Sequence, residues 1–156
     1  MKITRVIALL LAVVLVAAAC SNESNTDTAS RDDSGEITEG GRTGVETIQV
    51  GDCFDDEGSF EQVEQVASIP TVACDEPHDN QVVGKYQTTV TSYVDDDQMA
   101  FEAWTGCTER FASFIGEGME IFPLFPTEAS VDAGDREIIC SVYNGDASKL
   151  TTDLVN

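Results

Sequence analysis

Asp95-Asp96-Asp97, followed to Phe114 by QMAFEAWTGCTERFASF, is the stretch of this 156-residue chain whose reading decides the fold. The three aspartates supply N-cap candidates and negative charge where a helix begins electropositive. Ala100, Trp104, Cys107, Phe111 and Phe114 then recur at spacings of 4, 3, 4 and 3, which is one face of an α-helix. That aromatic stripe reads as core. Gly106 costs about 1 kcal/mol in a helix interior, which suits a place where the backbone approaches a neighbour closely beside Cys107. Gly116 or Gly118 ends the helix.

Working outward, Glu137-Ile138-Ile139-Cys140-Ser141-Val142-Tyr143 reads as a buried strand, reached through an apolar segment, Ile121 to Pro126, that Pro123 and Pro126 interrupt. On the other side, Asn80 to Val90 reads as a strand with Val82, Val83, Tyr86 and Val90 as its apolar positions. Val72-Ala73-Cys74 leads into the loop Asp75-Glu76-Pro77-His78-Asp79. Glu61 to Ala67 is a further strand with Val63 and Val66 half-buried, and Asp55-Asp56-Glu57-Gly58 is a turn. Val45 to Val50 alternates apolar and polar residues as a strand does, and Gly51-Asp52 turns it into Cys53. The polar stretch Asn144 to Asn156 carries no assigned element. Strands before and after one helix predict an α+β fold, a small antiparallel sheet with one main helix packed on it.

Five cysteines belong to this frame. Cys53, Cys74, Cys107 and Cys140 form an even set that reads as two disulfides in an exported domain, with three connectivities available. Pairing Cys53 with Cys74 and Cys107 with Cys140 ties neighbouring elements together and is the expected arrangement. The fifth, Cys20, closes Val16-Ala17-Ala18-Ala19-Cys20, at the end of an apolar run of 14 residues from Val6. Lys2 and Arg5 precede that run, which is short for a membrane span and right for a signal-peptide core. Small residues before a cysteine resemble the bacterial lipobox. Residues 1–19 therefore read as a signal peptide, and Cys20 as a lipidated, palmitate-bearing membrane anchor.

Residues 20–45, rich in Ser, Thr, Asp, Glu and Gly, read as a flexible acidic tether, because they carry too little apolar surface to offset ordering entropy. About 24 such residues span on the order of 25–30 Å. Residues 46–156 remain as the folded domain.

Charge narrows the partners. Eight basic residues face 29 acidic ones, a formal −21 that becomes −23 once Lys2 and Arg5 leave with the signal peptide. Nucleic acid is excluded as a partner, since phosphate binding needs clustered Lys and Arg. A single histidine removes any multi-His metal centre. No GxSxG, HExxH, Walker-type or GxGxxG pattern is present. The clusters Asp55-Asp56-Glu57 and Asp95-Asp96-Asp97 lack the alternating ligands and central glycine of a calcium loop, so no metal or other cofactor is expected. Cys74 and His78 lie on one short loop, and Cys74 is better used in a disulfide than as a nucleophile.

Three groups of residues carry a resemblance: Val50-Gly51-Asp52-Cys53-Phe54; Val72-Ala73-Cys74-Asp75-Glu76-Pro77-His78-Asp79; and Pro126-Thr127 with Gly134-Asp135-Arg136-Glu137-Ile138-Ile139-Cys140. Together they resemble the extracytoplasmic domain of the actinobacterial "septum formation" family, over about residues 48–143. The resemblance implies a role in cell division or envelope growth without an established reaction. It also implies architectural uses for the cysteines, for the Pro-His turn, and for a structural turn at Asp135 and Arg136 feeding the last strand. Pro77, His78 and Asp79 are the first candidates for a binding loop, because a polar loop held between a disulfide and a strand can present groups rigidly. The expected function is a surface-anchored, non-enzymatic binding or scaffold domain. Its partners would be the membrane, through the lipid on Cys20, and an envelope protein or wall component. A cell-envelope hydrolase using unrecognised carboxylates and an acidic calcium-binding domain are the alternatives.

Overall fold

A computed structural model describes residues 28–56 and 66–155. The expected signal peptide, Cys20 and residues 21–27 lie outside them, as do residues 61–65 of the strand expected at Glu61 to Ala67. The described residues form eight strands: β1 (Ser30–Arg31), β2 (Ile37–Glu39), β3 (Gly41–Gly44), β4 (Cys53–Phe54), β5 (Ser68–Val72), β6 (Asn80–Gln87), β7 (Met119–Leu124) and β8 (Glu137–Asn144). The main helix α1 (Asp96–Phe111) continues as a 3-10 turn over Ala112–Phe114, and a short helix α2 (Glu128–Asp132) precedes β8. β3 to β8 form one sheet in the order β3-β5-β4-β6-β8-β7, every pair antiparallel, while β1 and β2 form a separate two-stranded ribbon. The fold is α+β, with one main helix on an antiparallel sheet.

Alternation along β8 builds a core on each face of the sheet. Ile138, Cys140 and Val142 face α1, where they pack with Ala103, Cys107, Ile121 and the half-buried Phe111. Ile139 faces the other way and joins Ile48, Phe54, Ile69 and Val82. A register shift between Val82 and Gly84 makes Val83 an extra residue, so that Val83 and Gly84 both lie on the helix side, Val83 in that core and Gly84 against Phe111. Pro123 is accommodated because β7 is an edge strand.

Both disulfides have the expected pairing. Cys107–Cys140 pins α1 to β8, and Cys53–Cys74 ties β4 to the residues leaving β5. At sequence separations of 33 and 21, the chain-entropy relation gives each about 3–4 kcal/mol of stabilisation.

Helix α1 begins where the aspartates place it, Asp95 accepting a hydrogen bond from the Gln98 amide at 2.8 Å. Its buried face differs from the expected stripe. Met99, Ala103, Gly106 and Cys107 are inside, whereas Trp104 is 55% exposed. The reason is close contact with β6. The Phe111 ring fills the space a Gly84 side chain would occupy, and the Tyr86 ring fills that of Gly106. Two glycines facing two aromatics set the helix rotation and turn Trp104 out.

Four further expectations are corrected. Residues 28–44 of the expected tether belong to the fold: Thr28 to Gly44 includes β1, β2 and β3, and β3 pairs with β5 from Gly41↔Thr71 to Gly44↔Ser68. Main-chain pairing, a Thr43–Thr71 hydroxyl contact of 2.7 Å and an Arg31 ion pair order this segment, which apolar content alone would leave free. Val45 to Val50 is a 3-10 turn over Val45–Thr47 followed by irregular chain, in which Ile48 is buried and Val50 exposed. β6 ends at Gln87, short of Val90, and Val66 and Ala67 precede β5 without belonging to a strand.

Candidate functional site

The loop after Cys74 is bound into the fold. His78 exchanges two main-chain hydrogen bonds with Leu150, its N–H donating to the Leu150 carbonyl at 3.1 Å and its carbonyl accepting from the Leu150 N–H at 2.7 Å. The ring is fully buried, with Nδ1 2.8 Å from the Glu76 carbonyl oxygen. A carbonyl only accepts, so Nδ1 carries a proton. The other ring nitrogen, Nε2, is buried without a hydrogen-bond partner among the described residues.

Asp79 is engaged by Lys149, whose Nζ lies 2.8 Å from Asp79 Oδ1 and 2.7 Å from Asp55 Oδ1. The Asp56 amide donates to Asp79 Oδ2, and the Asp79 amide to Asp55 Oδ1. Burial opposes ionisation of Asp79, but the hydrogen bond from Lys149 outweighs it with help from the Asp56 amide and holds the carboxyl below its ordinary range. Lys149 is desolvated in turn, yet its two carboxylate partners raise it above the ordinary lysine value. Of the expected binding loop, then, Pro77 is exposed, His78 is enclosed and Asp79 is ion-paired.

Behind the Cys53–Cys74 bridge lies Gln81, fully buried in β6. Its Nε2 donates to the Gly51 carbonyl at 3.1 Å and to Asp153 Oδ1 at 2.7 Å, and its Oε1 accepts from the Leu154 amide at 2.7 Å. One amide thus fastens residues 153–154 to the sheet. Asp52, 5% exposed, accepts from both terminal guanidinium nitrogens of Arg31 at 2.6 Å and from the Gln49 amide at 2.7 Å. The hydrogen bonds to Asp52 raise the Arg31 pKa over the opposing effect of its burial.

A polar groove of about 830 Å³ lies beside Asp52 and Asp153, bounded by Ser34–Thr38, Gln49–Asp52, Ala73–Asp75, Thr151 and Asp153. Its carboxylates are Glu36, Asp52, Asp75 and Asp153; Asp52 pairs with Arg31, and Asp153 accepts from Gln81. Sequence reading missed Arg31, Gln81, Lys149 and Asp153; only Gln81, a polar residue in the expected strand directly ahead of Val82 and Val83, carries a signal that could have found one of them.

The Asp135–Arg136 turn is architectural in its contacts. Asp135 Oδ1 accepts from the Glu137 amide at 2.9 Å, and Arg136 donates to the carbonyls of Val131 at 2.6 Å and Thr91 at 3.2 Å. One guanidinium joins the end of α2 to the chain entering α1.

No family model, curated protein or solved structure matches this chain.

Its chemistry is accordingly argued from its own residues. Among the described residues, no group of three or more His, Cys, Asp or Glu side chains is placed to hold a metal ion, and no helix is long and apolar enough to cross a membrane. Among the described residues, some large apolar side chains stand exposed. Phe101 is 72% and Trp104 55% exposed on the outer side of α1, with Val94 at 66% just ahead of it.

Proposed function

We propose that this chain is a lipoprotein held at the outer face of the cell membrane through Cys20, and that its α+β domain is a non-enzymatic binding or scaffold module of the cell envelope. Septum formation is the process that its family resemblance points to. One observation carries the reading: four of the five cysteines close two disulfides inside the fold, and the fifth, Cys20, directly follows the apolar run. Disulfides of this kind persist in oxidising compartments, and a cysteine behind small residues at the end of a signal-like segment has lipidation as its natural use. The structural employment of Pro-His-Asp supports a frame that presents a surface. Its polar groups are engaged in holding the loop.

Labelling with a palmitate analogue in a bacterial host tests the anchor. The parent chain is expected to label and to sediment with membranes, and Cys20→Ser to do neither; equal membrane retention of the two would refute lipid anchoring. Affinity capture from envelope extracts tests the module. Enrichment of a protein or wall component by the folded chain is expected, and enrichment no greater than with the reduced, denatured chain refutes it.

A further inference from the structure

Helix α1 turns only part of its circumference to the sheet. Opposite the buried Met99, Ala103, Gly106 and Cys107, Phe101 and Trp104 stand three residues apart on one helical face, and Thr108 extends that face by one turn. Aromatic side chains carry large apolar area, and tryptophan is among the residues most enriched at binding hot spots. The backbone beneath this pair is held firmly. Cys107 is bonded to Cys140, Asp95 caps the helix, and the Tyr86 ring packs against Gly106. A preorganised aromatic pair loses little conformational freedom on docking.

Charge decides what can cover it. Asp95, Asp96, Asp97 and Glu109 are exposed around the pair. The helix's one cation, Arg110, is drawn back over the Tyr86 ring, 4.1 Å from its centroid, and donates to the Gly106 carbonyl. The chain as a whole carries a formal −21. A second copy would set like charge against like, and an anionic bilayer would do the same. We propose that the Phe101–Trp104 face of α1, with Val94 in the chain just ahead of the helix, docks a cationic amphipathic segment of a partner protein. Its apolar ridge seats on Phe101 and Trp104, and flanking Lys or Arg residues meet Asp97 and Glu109. An arginine of the partner can also stack on the Trp104 ring. This rests on the reading of the domain as a binding module and names its surface and the chemistry of its partner.

Trp104 is the only tryptophan in the chain, so its emission reports this face alone. The full chain in nanodiscs of zwitterionic lipid is titrated with a synthetic amphipathic helix of leucine and lysine, and with a counterpart carrying glutamine at every lysine position. The lysine peptide is expected to shift Trp104 emission to shorter wavelength, saturably. Affinity should fall roughly tenfold between low and high salt, because the contributing charges are exposed. Phe101→Ser is expected to weaken binding at least tenfold without lowering Tm, since the side chain contributes little to the core.

Equal binding of the glutamine peptide, or parent-like binding by Phe101→Ser, overturns the proposal. So does a concentration-dependent shift of the chain alone, which assigns the face to a second copy, or a shift on changing the nanodisc lipid to an anionic one, which assigns it to the bilayer. Failure of the peptide with success of the envelope capture rejects this surface and leaves the module reading standing; the converse rejects the module.

Discussion

Replacing Arg31 by methionine tests the largest structural departure from the sequence expectation, the incorporation of residues 28–44 into the fold. In the parent chain the Arg31 guanidinium meets Asp52 through two 2.6 Å contacts and also donates to the Gly35 carbonyl at 2.7 Å. The Asp52 side chain is 4% exposed and that of Arg31 21%. Methionine keeps most of the apolar stem and removes the charge, leaving Asp52 buried with the Gln49 amide as its remaining hydrogen-bond donor in this group. Breaking a fully buried pair by removing one partner costs about 3–5 kcal/mol. Because water reaches Arg31 in part, about 2–3 kcal/mol is expected here. At roughly 4 °C per kcal/mol for a domain of this size, Tm falls by about 8–12 °C. Urea unfolding of Arg31→Met, Asp52→Asn and the double variant, followed by circular dichroism, completes a double-mutant cycle. The double variant should lose less than the two single losses summed, by at least about 1 kcal/mol. A single-variant loss within about 0.5 kcal/mol, the range of ordinary surface substitutions, would refute the clasp and return the segment to a tether.

Gly106→Ala places a methyl group 2.0 Å from Tyr86 Oη and should cost about 1–3 kcal/mol in urea unfolding, with loss of the Tyr86 hydrogen bond to the Glu102 carbonyl; parent-like stability would mean the ring is not seated there. Tyr86 itself is pushed up from 10.0 to about 12, chiefly by burial and then by Glu102. The folded state therefore favours the neutral phenol, and that stability is complete below pH 10 and lost as pH rises towards 12; phenolate absorbance should show this late ionisation, returning towards pH 10 in Gly106→Ala. Asp79 is held below 3.8, so its contribution is present above that pH and lost as pH falls through the lower folded value. The pair with Lys149 is partly exposed, so Asp79→Asn should cost less than about 1 kcal/mol at pH 7, and progressively less as pH falls below 3.8, by thermal melts across that range; a difference that does not shrink in acid contradicts the assignment.

The elements legible in the sequence were those whose signal is local. Asp95 caps α1 because an aspartate ahead of an apolar period satisfies a free amide, and β8 reads as buried because Ile138 to Val142 leaves no solvent face. The cysteine pairing followed from neighbourhood along the chain. What escaped depends on distant partners. Nothing in Gly41–Gly44 announces a strand until Ser68–Thr71 lies beside it, and nothing near Arg31 announces Asp52, 21 residues away. Trp104 misled because helical spacing defines a stripe without fixing the rotation that Tyr86 and Phe111 impose. The missed contacts span 72 residues from Gln81 to Asp153 and 94 from Asp55 to Lys149, beyond any window of periodicity. The candidate loop was visible as polar; its enclosure by Leu150 was not.

The Arg31 clasp has a mechanical side. A pull transmitted along the chain from before Thr28 reaches the ribbon of β1 and β2 first, and Arg31 passes it to Asp52, the residue next to Cys53. From Cys53 the load has a covalent route across the bridge to Cys74 and need not run through the ladder of β4 with β5. The clasp would act as a fuse under tension. The ribbon peels when the ion pair yields, the chain lengthens by the residues released, and the sheet behind the disulfide stays closed. Drawing the chain out from its N-terminal side in a force spectrometer should give a small, low-force first extension that Arg31→Met removes, ahead of the main rupture.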